Sequence, residues 1–109
     1  MLDKLTSADF APYLNQAFRL YPGPYTPDGS PAGAPLPLEL VSVTDLGDPP
    51  PAGAPLRRRP FSLLFRASST GHLPQRIYVL EHERLGRLDI FLVPIGPDQL
   101  GMRYEAIFT

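Results

Sequence analysis

Residues 75–96, QRIYVLEHERLGRLDIFLVPIG, read as two β-strands around one tight turn. Arg76–His82 and residues 88–93 are rich in β-branched and aromatic side chains. Between them stand Glu83, Arg84, Leu85 and Gly86. Of these, only Gly86 takes a positive φ at no steric cost, so it is expected to close the loop. A four-residue loop over these positions puts Tyr78 and Leu80 on one face with Phe91 and Val93. Ile77 and Val79 then share the other face with Ile90 and Leu92. Both faces are apolar, so both need cover. A half-exposed hairpin would alternate apolar with polar residues instead.

Working outward, Gly96, Pro97 and Asp98 are expected to turn the chain into a final strand at 102–108. There Met102, Tyr104, Ala106 and Phe108 share one face, with Arg103 and Glu105 on the other, which is the alternation of a half-buried strand. Upstream, PFSLLFRA at 60–67 is a strand with Phe61, Leu63 and Phe65 inward, and 68–74 a turn. Residues 36–46 form another. Leu38 and Leu40 share one parity and Val41 and Val43 the other, so a bulge is expected near Leu40. Residues 16–21 form the first strand, with Phe18 and Leu20 inward. Thr6, Ser7, Ala8 and Asp9 match a capping box, and a short helix follows with Phe10 and Leu14 on its inner face. Pro12 limits that helix, because an interior proline removes a hydrogen bond and clashes with the preceding turn. An irregular exit is expected near Asn15.

Two Pro/Gly-rich stretches, 22–35 and 47–58, carry turn and polyproline signals and read as surface loops. The hexapeptide PAGAPL occurs at 31–36 and again at 51–56. Six residues are too few for a structural repeat, so this is loop filler. The fold class is therefore mainly β, a small six-stranded antiparallel barrel or rolled sheet. Short sequential connections suggest a meander. Closure removes free strand edges, and the one short N-terminal helix plugs an end.

The 109 residues suit a single domain, 1–109, and are enough for one core without staples. The chain contains no cysteine, which excludes disulfide and thiolate chemistry and fits a cytoplasmic location. A formal net charge of -1 supplies no general pull toward nucleic acid or an anionic membrane, so neither is expected as a partner. MLDKLTSADF has acidic residues and no long apolar run, unlike a leader or a membrane span.

No catalytic, metal or cofactor constellation emerges. His82 lies between Glu81 and Glu83, whose side chains point to the opposite face of a strand, so the three cannot share a metal. The other imidazole, His72, lies in a turn. Asp89 is expected on the face of His82, where it could orient the ring. A hydrolase would also need a serine from Ser42, Ser62, Ser68 or Ser69, and none stands in a nucleophile-elbow context. The default for His82 is a hydrogen bond to its turn or to a neighbouring carboxylate. Arg57, Arg58 and Arg59 form the one basic run, and its place beside an apolar strand suits a guard against aggregation. Tyr13, Tyr21, Tyr25, Tyr78 and Tyr104 are expected in core and rim packing.

The chain resembles an uncharacterised family of short bacterial proteins. The resemblance rests on Met1, Leu2, Leu5, Thr6, Asp9 and Phe10 at the start, and on PFSLLF at 60–65. It continues through Tyr78, Leu80, Glu81, His82, Leu85 and Gly86, then FLVP at 91–94 and YEAIF at 104–108. It implies no activity and no catalytic residue. It does imply a gene neighbourhood with phage-tail-collar-like proteins. The expectation is a non-enzymatic interaction or assembly module, accessory to a phage-tail-like structural protein. Its partner would be another protein or a second copy in a homodimer. The outer hairpin face and the last strand, with no charged tail to blunt its edge, supply Tyr78, Phe91 and Ile107 as partner-binding residues. The alternative is a small-molecule-binding or hydrolytic barrel with its site at His82 and Asp89.

Loop length enters stability only weakly, through closure entropy. Deleting residues 23–34, or replacing 50–54 by a short Gly/Ser turn, is therefore expected to leave cooperative thermal unfolding intact. Loss of a cooperative transition in either variant would show that the loop packs on the core.

Overall fold

The computed structural model describes residues 5–23, 35–46, 60–68 and 73–108. The two Pro/Gly stretches, His72 and the run Arg57, Arg58, Arg59 fall wholly or largely outside those residues. The chain is mainly β. A helix α1, Ser7–Phe10, continues into a 3-10 turn, Ala11–Tyr13. Six strands follow: β1 Ala17–Tyr21, β2 Leu36–Asp45, β3 Phe61–Ala67, β4 Arg76–His82, β5 Gly86–Asp98 and β6 Gly101–Phe108.

All neighbouring strands are antiparallel, and they close into a barrel in the order β1-β2-β3-β6-β5-β4. A simple meander would pair β3 with β4. Here β3 pairs β6 and β4 pairs β1, so two three-stranded meanders join along both sides. Every strand, β6 included, has a neighbour on each side. The free final edge expected from the sequence is absent.

Period-two alternation sets most inward residues. Phe18 and Leu20 on β1, Phe61, Leu63 and Phe65 on β3, and Met102, Tyr104, Ala106 and Phe108 on β6 are buried. On β2 the register shifts between Leu40 and Ser42, leaving Val41 as an extra residue. That bulge reverses the parity and brings Val43 onto the core below Leu38 and Leu40. A second bulge lies on β5 between Pro94 and Gly96. It tolerates Pro94, which has no N–H for a ladder. β5 therefore runs straight through the expected turn at Gly96, Pro97 and Asp98. The reversal comes later, where Asp98 pairs Gly101 across Gln99 and Leu100.

The helix is short but well started. The Thr6 N–H donates to Asp9 Oδ2 at 2.7 Å. Phe10 is fully buried and plugs one end, with its ring centroid 5.9 Å from Phe61 and 5.8 Å from Phe108. Phe61 and Phe108 are themselves stacked at 4.6 Å. Leu14 is not inward as expected, but 38% exposed. Pro12 tightens the chain into a 3-10 turn, which changes the phase from 3.6 to 3.0 residues. Tyr13 packs on the core in its place.

The hairpin faces differ from the sequence reading. His82 pairs Gly86, so the turn holds three residues, Glu83, Arg84 and Leu85, not four. A slip of one residue moves each side chain to the other face. Tyr78, Leu80 and His82 share the interior with Leu88, Ile90 and Leu92, while Ile77 and Phe91 lie outside.

Phe65 is fully buried and meets Phe18 edge-on at 5.4 Å, whereas Phe91 is 47% exposed. Phe65→Ala is expected to cost about 3–5 kcal/mol by the usual cavity term. Phe91→Ala is expected to cost under about 1 kcal/mol, as surface substitutions do. Denaturant unfolding of the two variants checks the assignment of faces, and equal losses would contradict it.

Candidate functional site

His82 ends β4 and points into the barrel, 4% exposed. The Arg84 backbone N–H donates to its Nδ1 at 3.1 Å. Nδ1 is thus an acceptor, and the proton of the neutral ring resides on Nε2. Nε2 then donates to Gln16 Oε1 at 2.8 Å. The imidazole centroid lies 4.5 Å from the ring of Tyr13 and 4.7 Å from that of Phe18. Burial lowers its pKa below the ordinary histidine value. Both nitrogens are engaged, so the ring ties the β4–β5 turn to the N-terminal segment. A proton shuttle would need one nitrogen free.

Asp89 does not orient it. Asp89 pairs Val79, so it points outside while His82 points inside. The three-residue turn is the cause, through the same one-residue slip that moved Tyr78. Asp89 instead borders an outer cleft of about 240 Å³, lined also by Tyr21, Gly23, Arg76, Ile77 and Val79. Ser62, across from Ile107 on the outer side, is separated from His82 by the barrel wall.

Of the three side chains expected at a docking surface, the structure brings two outside. Tyr78 is inside, 2% exposed, and its hydroxyl donates to the Pro74 carbonyl at 2.5 Å. Burial raises its pKa above the ordinary tyrosine value. The Arg76 guanidinium lies 4.7 Å from its ring centroid and donates to the Pro22 carbonyl. Phe91 is 47% and Ile107 60% exposed. Their companion is Ile77, at 63%. Nothing but the turn length separates Ile77 from Tyr78 in the sequence.

These residues line up. Ile77 faces Phe91 across β4 and β5. The β5–β6 ladder begins at Val93 and Glu105, and Phe91 and Ile107 lie two residues beyond it at the same outward parity of the neighbouring strands. Ile107 in turn faces Ser62. An apolar row thus crosses three adjacent strands on the outer surface. The next row along β4 is Tyr21, Val79, Asp89, and the one beyond is Arg19, Glu81, Arg87. In the last, Arg19 Nε lies 3.9 Å from Glu81 Oε1. A hydrogen bond to the Glu81 carboxylate raises the Tyr21 pKa. Among the described residues, no three His, Cys, Asp or Glu side chains gather as a metal site would need, and no helix is long and apolar enough to cross a membrane.

The histidine bears on pH dependence. A pKa depressed in the folded state contributes stability that is present above the unfolded value, about 6.5. That contribution is lost as pH falls through the folded value, because the unfolded chain binds the extra proton first. Wild-type stability in denaturant is expected to fall as pH drops below about 6.5. His82→Gln is expected to be less stable at pH 8 and to show a flatter profile through that range. An identical profile in the variant would show that other groups carry the acid sensitivity.

A family model described as Domain of unknown function (DUF6916) matches residues 5–108. No curated protein and no solved structure matches the chain. The matched span runs from the residue before the capping box to the last residue of β6, taking in all six strands. The chain therefore belongs to this family of unknown function, DUF6916.

Proposed function

We propose that this barrel is a non-enzymatic interaction module that docks another protein, or a second copy of itself, over the row Ile77, Phe91 and Ile107. The observation that carries the reading is that these three large side chains are 63%, 47% and 60% exposed on adjacent strands. Single exposed apolar residues are ordinary, but a contiguous group marks a surface that gains by being covered. The closed barrel supports the same reading, because a partner cannot add a strand to a sheet without edges and meets a face instead. A phage-tail-like setting rests on the sequence resemblance alone, which implies a neighbourhood with phage-tail-collar-like proteins. The rival, a ligand or hydrolytic site at His82, loses its support with Asp89 on the opposite face.

Specific interfaces bury on the order of 800 Å² per partner. Self-association is the directly measurable form of such docking. Size exclusion with light scattering at micromolar concentration is expected to show wild type larger than a monomer. Ile107→Lys, which adds a charge at a solvent-facing position, is expected to run as a monomer with an unchanged melting temperature. A wild type that stays monomeric at hundreds of micromolar would remove the second copy as the occupant of this row.

A further inference from the structure

The two hydrogen bonds of His82 respond differently to a proton. Nε2 donates to Gln16 Oε1 at 2.8 Å, and it donates equally well from the charged ring. Nδ1 accepts the Arg84 N–H at 3.1 Å, and a proton there sets two donors against each other with no acceptor between them. The ring itself has reason to stay. Its centroid lies 4.5 Å from that of Tyr13 and 4.7 Å from that of Phe18, and an aromatic face attracts a cation. Its anchor is tied into the fold. The Gln16 N–H donates to the Tyr13 carbonyl at 3.1 Å, the Asn15 N–H to the Leu40 carbonyl at 2.7 Å, and the Leu40 N–H to the Gln16 carbonyl at 3.0 Å. The turn is the looser side. Glu83 and Arg84 face solvent, and Leu85 alone of its side chains packs on the core.

Burial opposes the cation most. Glu83 in the turn favours it, and Arg19 on β1 and Arg84 in the turn oppose it. The 3-10 turn presents the phenol of Tyr13, β2 presents Leu40, and β5 presents Leu88 and Ile90 inward, without charge. The cation therefore forms below the ordinary histidine value of about 6.5. Among the charges around the ring Glu83 is the one acceptor, and it rides on the turn.

We propose that the β4–β5 turn is an acid-operated latch. A proton on His82 Nδ1 breaks the bond from Arg84, releases residues 83–85 and lifts Leu85 off the core, while the ring stays on Gln16 and the barrel stays folded. The ladder from Leu80 and Leu88 to Arg76 and Leu92 keeps the register, so the row Ile77, Phe91 and Ile107 keeps its place. The latch is independent of any partner on that row.

The test is NMR of the ¹⁵N-labelled chain from about pH 8 to about pH 5, across the histidine range. At the upper end the imidazole ¹⁵N shifts are expected to report the Nε2–H tautomer. As His82 titrates, the Arg84 amide is expected to lose protection, although intrinsic exchange slows in acid, while the amides of Asn15, Gln16 and Leu40 keep theirs. Gln16→Glu gives Nε2 a carboxylate partner and is expected to raise the midpoint by about 1 pH unit. Glu83→Gln removes an attraction and is expected to lower it by about 0.2–0.7 unit. Both positions are exposed, and unchanged amide spectra elsewhere report that each variant is folded. Four results would each overturn the latch: the Nδ1–H tautomer, an Arg84 amide protected throughout, protection lost at Asn15 and Gln16 or over the whole barrel at the same midpoint, or a midpoint that neither variant moves.

Discussion

The pairing of His82 with Gly86 decides which side of β4 and β5 is inside. Gly86 adopts φ 76°, a conformation that a side chain would strain, and so lets three residues reverse the chain. His82 then locks what Gly86 allows. By accepting the Arg84 N–H within the turn and donating to Gln16 outside it, the imidazole couples the hairpin to the segment entering β1. A buried polar ring is costly unless both nitrogens are satisfied, and here both are. The physical role of the histidine is to hold the register, and with it the identity of every outward residue on two strands.

The register would mean little without closure. β1–β4 and β3–β6 are the pairs that join the two meanders, and both connect segments far apart in sequence. The barrel end between Phe61 and Phe108 is sealed by Phe10. A helix of four residues cannot stand alone in water, because nucleation costs more than one turn returns. Burying one phenylalanine ring contributes about 1.5–3 kcal/mol, which is what keeps that turn in place. The capping bond from Thr6 to Asp9 orients it, but the ring anchors it.

Much of this is legible in the amino-acid sequence. Strands with one polar face, such as β6 with Arg103 and Glu105 between Met102, Tyr104 and Ala106, declare their inner side by alternation. So did the parity break on β2, where Val41 is the extra residue. The hairpin could not declare itself, since apolar residues stand at both parities and only the turn length decides between them. Counting Gly86 as loop rather than as the partner of His82 put Asp89 beside the histidine and Tyr78 on the surface, and both are reversed. Strand order was illegible for another reason. Nothing local to β3 says that its neighbour is β6 and not β4, because that choice is made by barrel closure.

The outer surface of β4 and β5 is the informative part because its chemistry changes row by row on the same two strands. The row Arg19, Glu81, Arg87 is charged throughout. The row Tyr21, Val79, Asp89 buries its one aliphatic residue, with Val79 at 6% exposure although it points outward. The row Ile77, Phe91, Ile107 has neither charge nor cover. Strand propensity does not require this, since a charged residue is accepted at outward positions two residues away, Asp89 on β5 and Glu105 on β6. Barrel closure does not require it either, because the ladder bonds are made by backbone. A solvent-facing residue can become polar at little cost to stability, so three that remain apolar in register are not explained by the needs of the fold. The partner proposed to dock over this row would give those side chains the cover that the barrel itself does not.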